Sequence, residues 1–487
     1  MRNWKLPAIT VLAASIAACT VGPDYVRPES PTPAHFTSTA RPDPASRADM
    51  PGESAAGSEF WNSFDDPLLS RLVEKALASN HDLRIALANL DRANALLGGA
   101  RFDALPVVTA EAEARDARAS ADQVPGTGRD GRDAKSYSTG LRASWELDLF
   151  GRIRRGIEAQ SAEAAASAAD LAAAQVVVAA DVASTYAELR GLQERLRVAR
   201  DNANNQQDTL RLIEVRFGAG RGTEFDTARA KAQLETTRSR IPALESALAI
   251  DMHRIAVLTG QTPDALVAEL QPEQALPALP ARIDAGTPGD LLRRRPDVAA
   301  AEQRLHAATA RIGIASADLF PHFSLGGLLG SQAVSVGDLF ERDSETRLFA
   351  FGVDWSFLDV GHVRARIAAS NADAGAELAR YEQSVLRALE DTENALTRYA
   401  HARVEDAHLQ RAAENSSRAA ELARTRFDAG ATDLFEVLDA ERTRLQAQDA
   451  LAVARTRSVT GAIGLYRALA GGWSSLSPQR KALAAAN

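Results

Sequence analysis

The chain has 487 residues, 45% of them hydrophobic, and a formal net charge of -8, so it can bury a large core and carries no bias toward a nucleic-acid partner. Aromatic residues supply only 5% and alanine dominates the apolar fraction, which suits closely approaching helices in bundles or tubes. A lone cysteine, Cys19, excludes an internal disulfide and any cysteine-cluster metal site.

Residues 1–18 read as an export signal. Arg2 and Lys5 form the positive start, and Leu6 to Ala18 form an apolar run too short to span a bilayer as a helix. The run ends in Ile16-Ala17-Ala18-Cys19, which resembles a bacterial lipobox with Cys19 as the lipidated residue; an ordinary signal peptide followed by a chance cysteine is the competing reading. Thr20 follows instead of Asp, which by resemblance to lipoprotein sorting rules points to the outer membrane. Downstream, no stretch of about 20 apolar residues is expected to cross a membrane as a helix.

After a lipidated N-terminal segment (19–60), a first repeat is expected over 61–260. Asp66 to about Phe102 is helical in pattern. A β-hairpin follows at about 106–150: Val108, Ala110, Ala112 and Ala114 alternate with Thr109, Glu111, Glu113 and Arg115, and Leu141, Ala143, Trp145, Leu147 and Leu149 alternate with Arg142, Ser144, Glu146 and Asp148. Gly126-Thr127-Gly128-Arg129-Asp130-Gly131 matches a dinucleotide fingerprint literally, yet it sits in the polar hairpin loop with no following helix to hold a pyrophosphate. From about Ile157 to Phe217 the chain lacks Pro and is nearly free of Gly, with Val178, Val182, Leu189, Leu192 and Leu196 at helical spacings. Roughly 60 residues at 1.5 Å each make a helix near 90 Å long, a rod that needs neighbours. A Phe-x-Ala-Gly turn closes a helical hairpin (about 157–259), and Pro242 is expected to bend or interrupt the returning helix.

A Pro-rich linker (261–289) leads to a second repeat (290–470) with a β-hairpin at about 321–360 and a helical hairpin at about 363–470, followed by a tail (471–487). Here Phe323, Leu325, Gly327 and Leu329 mark one strand, and Phe349 to Phe357 alternate in the next. The two repeats are copies of one plan. Asn80-His81-Asp82 through Leu105-Pro106 matches Arg295-Pro296-Asp297 through Phe320-Pro321 at an offset of 215, while Trp145 with Gly151 and Arg216 to Gly220 match Trp355 with Gly361 and Arg426 to Gly430 at 210. Each copy reads helix, strand, strand, long helix, helix.

Strands with one apolar and one ionic face fit either a soluble sheet or a membrane barrel. About ten residues per strand is the length that crosses an outer membrane at a tilt. Four strands cannot close a barrel and open edges are not tolerated in lipid, so the membrane reading requires several chains to share one barrel.

The residues resemble the outer-membrane factors, the TolC-like and OprM-like channel tunnels of Gram-negative efflux and secretion systems. The resemblance rests on Cys19-Thr20-Val21-Gly22-Pro23-Asp24-Tyr25, on Phe435-Glu436-Val437-Leu438-Asp439-Ala440-Glu441-Arg442 and on the ending Leu465 to Trp473, all similar to the lipoprotein branch. It implies a mainly α protein with membrane β: a trimeric 12-stranded β-barrel, four strands per chain, continued by a 12-helix periplasmic α-barrel. It also implies a homotrimer set in outer-membrane lipid, a periplasmic adaptor protein and an inner-membrane pump of the resistance-nodulation-division type. The eight His residues are scattered without metal-ligand spacing and no nucleophile elbow or zinc-hydrolase motif appears, so no enzyme activity, cofactor or metal is expected.

By the same resemblance, Phe435, Glu436 and Asp439 form the periplasmic gate, a carboxylate ring beside an apolar ring. On the residues alone, Glu436 and Asp439 also suit a helix start. The tip turns, Arg216, Phe217, Ala219 and Gly220 with Arg426, Phe427, Ala429 and Gly430, would dock the adaptor; as a turn the pattern serves either way. Family members with Tyr and Arg latch residues carry them where this chain has Phe427 and Thr432. Trp145 and Trp355 suit an interface belt or core packing. An efflux duct for drugs or other small molecules is the leading expectation, against a type I protein-secretion duct or a non-channel coiled-coil scaffold.

Overall fold

The computed structural model describes residues 20–29, 32–37, 59–280 and 283–470; Cys19, the signal segment and the tail from Gly471 onward lie outside them. The elements are α1 (Pro67–Ser79), α2 (His81–Phe102), β1 (Val107–Arg118), β2 (Asp133–Leu147), α3 (Arg152–Gly218), α4 (Glu224–Arg238), α5 (Arg240–Leu258), α6 (Val267–Leu270), α7 (Pro288–Arg294), α8 (Pro296–Ala317), β3 (His322–Ala333), β4 (Glu345–Asp354), α9 (Val360–Asp428) and α10 (Leu434–Ala468). Two compact units divide them, and each draws on both repeats.

The first unit (Met1–Glu29, Asn89–Ser167, Ala300–Glu382) holds the sheet. Its four antiparallel strands run in sequence order, with Val107 opposite Ser144, Leu147 opposite Phe323 and His322 opposite Asp354. This register gathers Val108, Leu141, Leu325, Leu329, Phe349 and Phe351 on one face. The opposite face carries Arg142, which pairs with Glu111 (3.0 Å). Strand β4 ends at Asp354, four residues after Ala350, although the alternation runs on to Phe357. Trp355 lies just beyond the strand, where the chain turns into α9 with the Asp359 amide donating to the Ser356 carbonyl (2.9 Å), and its indole N–H donates to the Leu319 carbonyl (3.1 Å). Its counterpart in the first repeat makes the equivalent bond, Trp145 Nε1 to the Ala104 carbonyl (3.0 Å), so each pins the end of one strand to the helix-to-strand turn of its own repeat.

The second unit (Ser30–Ala88, Ala168–Ala299, Gln383–Asn487) is helical. Its core joins Phe60, Trp61, Phe64 and Leu72 to Val182, Leu189, Ile255 and Ile463. The expected helix from Asp66 to Phe102 is two helices. Asn80 is extended, its side-chain oxygen accepts from the Asp82 and Leu83 amides (2.8 and 3.2 Å), and its amide nitrogen donates to the Leu258 carbonyl (2.8 Å). One side chain thus caps α2 and ties the break to α5. The returning segment is likewise broken, at Ser239, with Pro242 in the first turn of α5 where its missing N–H costs no helical bond.

Contrary to expectation, one helix among the described residues is apolar enough to cross a membrane by length and composition. Helix α3 contains an 18-residue stretch of mean hydropathy 1.4, but 44% of it is buried within the chain, which is how a core helix rich in Ala and Val also behaves.

Candidate functional site

The sheet and the helix tips carry the two features that composition alone does not explain. On the sheet, the large apolar side chains are uncovered: Phe349 is 79% and Leu141 54% exposed. Among the described residues, strands β1 and β4 each have one free edge. An uncovered apolar sheet with unpaired edges is an aggregation surface in water, and is stable only against lipid or further strands.

At the tips, the two turns have the same geometry. In the first, the Arg221 amide donates to the Arg216 carbonyl (2.8 Å) and the Gly220 amide to the Phe217 carbonyl (2.9 Å); in the second, Ala431 donates to Arg426 (2.8 Å) and Gly430 to Phe427 (2.9 Å). These paired bonds close the orphan carbonyls of α3 and α9. Gly220 and Gly430 sit at φ 71° and 73°, the left-handed region that other residues enter at a cost. Helix α4 then starts from a reciprocal cap between Thr223 and Asp226, and α10 from Asp433, whose carboxylate accepts from the Glu436 amide (3.1 Å).

The structure brings the turns together. The Arg216 guanidinium lies 4.6 Å from the centre of the Phe427 ring, and Arg229 of α4 lies 4.2 Å from the Phe435 ring of α10. Of the predicted gate residues, Phe435 is exposed, Glu436 sits in the first turn of α10 in contact with Thr432, and Asp439 is paired with Arg442 one turn on. Both carboxylates therefore have local partners, and Glu436 takes up the helix-start role that its position suggests. Sequence reasoning missed Arg229 and Arg442. The three-residue spacing of Asp439 and Arg442 is a visible signal; the stacking of Arg229 on Phe435 has none.

Next to Cys19, residues Thr20 to Arg27 form a docked strap. The Val21 amide donates to the Phe150 carbonyl (3.2 Å), buried Arg155 donates to Asp24 (2.6 Å), Tyr25 stacks on His306 (ring centres 4.5 Å apart), and Arg27 pairs with Glu302 (3.1 Å). Burial, then the Glu302 charge, push the Tyr25 hydroxyl well above its usual range, so it stays a neutral donor to Glu302. The strap binds the start of α3 and the middle of α8, and so it holds the residue after Cys19 beside the end of β2.

Comparison with known proteins agrees with this geometry. A family model described as outer membrane efflux protein matches residues 72–261 and 287–471. The chain is 30% identical to Nodulation protein T of Rhizobium leguminosarum bv. viciae, over 98% of this chain and 95% of that protein. It is 32% identical to the pyoverdine export outer membrane protein OpmQ of Pseudomonas putida, over 86% and 89%. Among solved structures, the outer-membrane channel OprN superposes with a TM-score of 0.86 at 41% identity, covering 93% of this chain and all of that one. The fold is that of trimeric outer-membrane channels in which a β-barrel is joined to a helical barrel.

Proposed function

The chain belongs to the outer membrane efflux protein family and is an outer-membrane efflux channel, and from that premise we propose how its parts divide the work. Three copies share one barrel: the free edge of β4 in one copy pairs with β1 of the next, which leaves no unpaired backbone in lipid. The uncovered apolar face of the sheet carries this reading, since nothing among the described residues covers it. Cys19 bears the lipid anchor, and the Thr20–Arg27 strap sets where its acyl chains enter the membrane.

The duct is passive. An inner-membrane pump of the resistance-nodulation-division type drives transport, and a periplasmic adaptor docks on the tip turns, where Phe217 and Phe225 are exposed. Phe435, Glu436 and Asp439 form the gate: in a threefold assembly each becomes a ring, with an apolar constriction beside two carboxylate rings that favour cations. The cargo is small molecules, as the export of pyoverdine by one relative suggests; a protein-secretion duct or a scaffold is not favoured.

Planar-bilayer recording tests the duct and its gate together. Asp439→Asn should raise single-channel conductance, because it frees Arg442 and removes a ring of charge, and should weaken cation over anion preference roughly two- to fivefold. An unchanged reversal potential in a salt gradient removes Asp439 from the gate. For the anchor, Cys19→Ser should lose the lipid mass increment in intact-protein mass spectrometry while trimers persist in detergent, because the barrel itself holds the membrane. An acylated mutant protein refutes the lipid reading.

A further inference from the structure

Two residues beyond Asp439 on α10, Glu441 faces the other way. Asp439 has a side chain 44% exposed, whereas Glu441 is 3% exposed and its Oε2 is buried without a hydrogen-bond partner among the described residues. Arg444, whose charge acts on Glu441, belongs to a polar layer in the packing of α10 on α3 and α9. In that layer Arg444 donates to Asn202 Oδ1 (3.1 Å), Asn202 donates to Gln448 (3.2 Å), and Gln448 donates to Ser417 of α9 (3.4 Å). Gln206, one turn from Asn202 on α3, is buried with both side-chain amide atoms unpaired among the described residues, and so is Arg444 Nε.

Natural helix packings rarely leave so many polar atoms unpaired, because each costs about 1–3 kcal/mol when buried. A layer of this kind is weaker than the apolar layers around it, and its strength depends on charge. The cations that act on Glu441 are Arg444 on its own helix and Arg424 on α9; α3 presents the uncharged Asn202 and Gln206. Burial outweighs both arginines and holds the Glu441 carboxyl above the ordinary glutamate range.

We propose that Glu441 is a protonation-dependent clasp behind the gate: neutral, it lets α10 pack on α3 and α9 in the closed arrangement, and ionised, it loosens that packing and favours opening. The inference rests on the reading that the start of α10 carries the gate. The sign follows from linkage. A carboxyl that binds its proton more tightly when packed than when hydrated imposes no penalty on the packed state below the ordinary glutamate range. As pH rises from there toward the raised value, the packed state loses stability relative to the open one.

Wild-type channels and Glu441→Gln, which keeps the shape of the side chain, are compared in planar bilayers between pH 5 and pH 8. The wild-type open fraction should rise several-fold across this range, and Glu441→Gln should remain in its closed pattern throughout. The clasp is overturned if Glu441→Gln retains the wild-type profile. Thermal unfolding of detergent-solubilised trimers gives a readout independent of current: Glu441→Gln should melt with wild type at pH 4.5 and above it at pH 8. Equal melting at pH 8 also overturns the clasp. Should no variant pass current, the gate reading fails, and the melting comparison alone decides whether the clasp exists.

Discussion

Phe351→Arg should abolish insertion into the outer membrane. Phe351 lies in the middle of β4 with Phe349 two residues away on the same uncovered face. An arginine at the midplane of a membrane barrel costs about 2–4 kcal/mol, and a threefold assembly incurs it three times. The change is read by fractionating membranes and counting the share that resists extraction by carbonate. Ala350→Arg tests the assignment of faces. Ala350 points to the side that carries Arg142 and Glu111, so this variant should insert normally and alter conductance only. If both variants insert equally well, that face of the sheet does not meet lipid.

The second large effect is expected far from the sheet, at Arg190. This side chain is 0% exposed and has no carboxylate partner among the described residues. It donates to the Pro272 carbonyl (3.0 Å), to Gln274 (3.0 Å) and to Gln193 (2.7 Å), while stacking 4.7 Å from the centre of the Tyr186 ring. Gln193 in turn donates to the Leu270 carbonyl (2.9 Å). The guanidinium thus fastens the linker after α6 onto α3, although Pro272 and Gln274 are themselves exposed. Arg190→Met keeps the length of the stem but gives up these bonds and leaves Gln193 without its guanidinium partner. A loss of about 2–3 kcal/mol per chain is expected, because a hydrogen bond from a charged donor contributes about 1.5–3 kcal/mol and water replaces part of it at the exposed acceptors. Thermal or denaturant unfolding in detergent measures it. A loss below about 1 kcal/mol would show that the guanidinium does not fasten the linker.

Both effects depend on features that differ in how far a reader of the chain could foresee them. Alternation of apolar and polar residues at period two marked the strands, because a pleated strand sends successive side chains to opposite faces whatever surrounds it. Glycine at Gly220 and Gly430 marked the tip turns, because a left-handed helix end is a local demand on one residue. The collinear matches between repeats announced the duplicated plan, and the resemblance of Phe435 to Arg442 supplied the family that the comparisons then showed.

The strand end before Trp355 was overrun, since the pattern continues in sequence where the chain has already turned toward α9. The break at Asn80 was missed, since it is held by a carbonyl 178 positions away. Local periodicity and turn chemistry act within a few residues, and the amino-acid sequence by itself determined the strands, the long helices, the tip turns and their order in two copies. Only the tertiary structure decided that Arg216 meets Phe427, that Arg190 serves the linker, and that Glu441 is buried while Asp439 is exposed. Those outcomes depend on which side of a helix faces a segment distant in the chain, and packing between helices, not spacing along one of them, sets that.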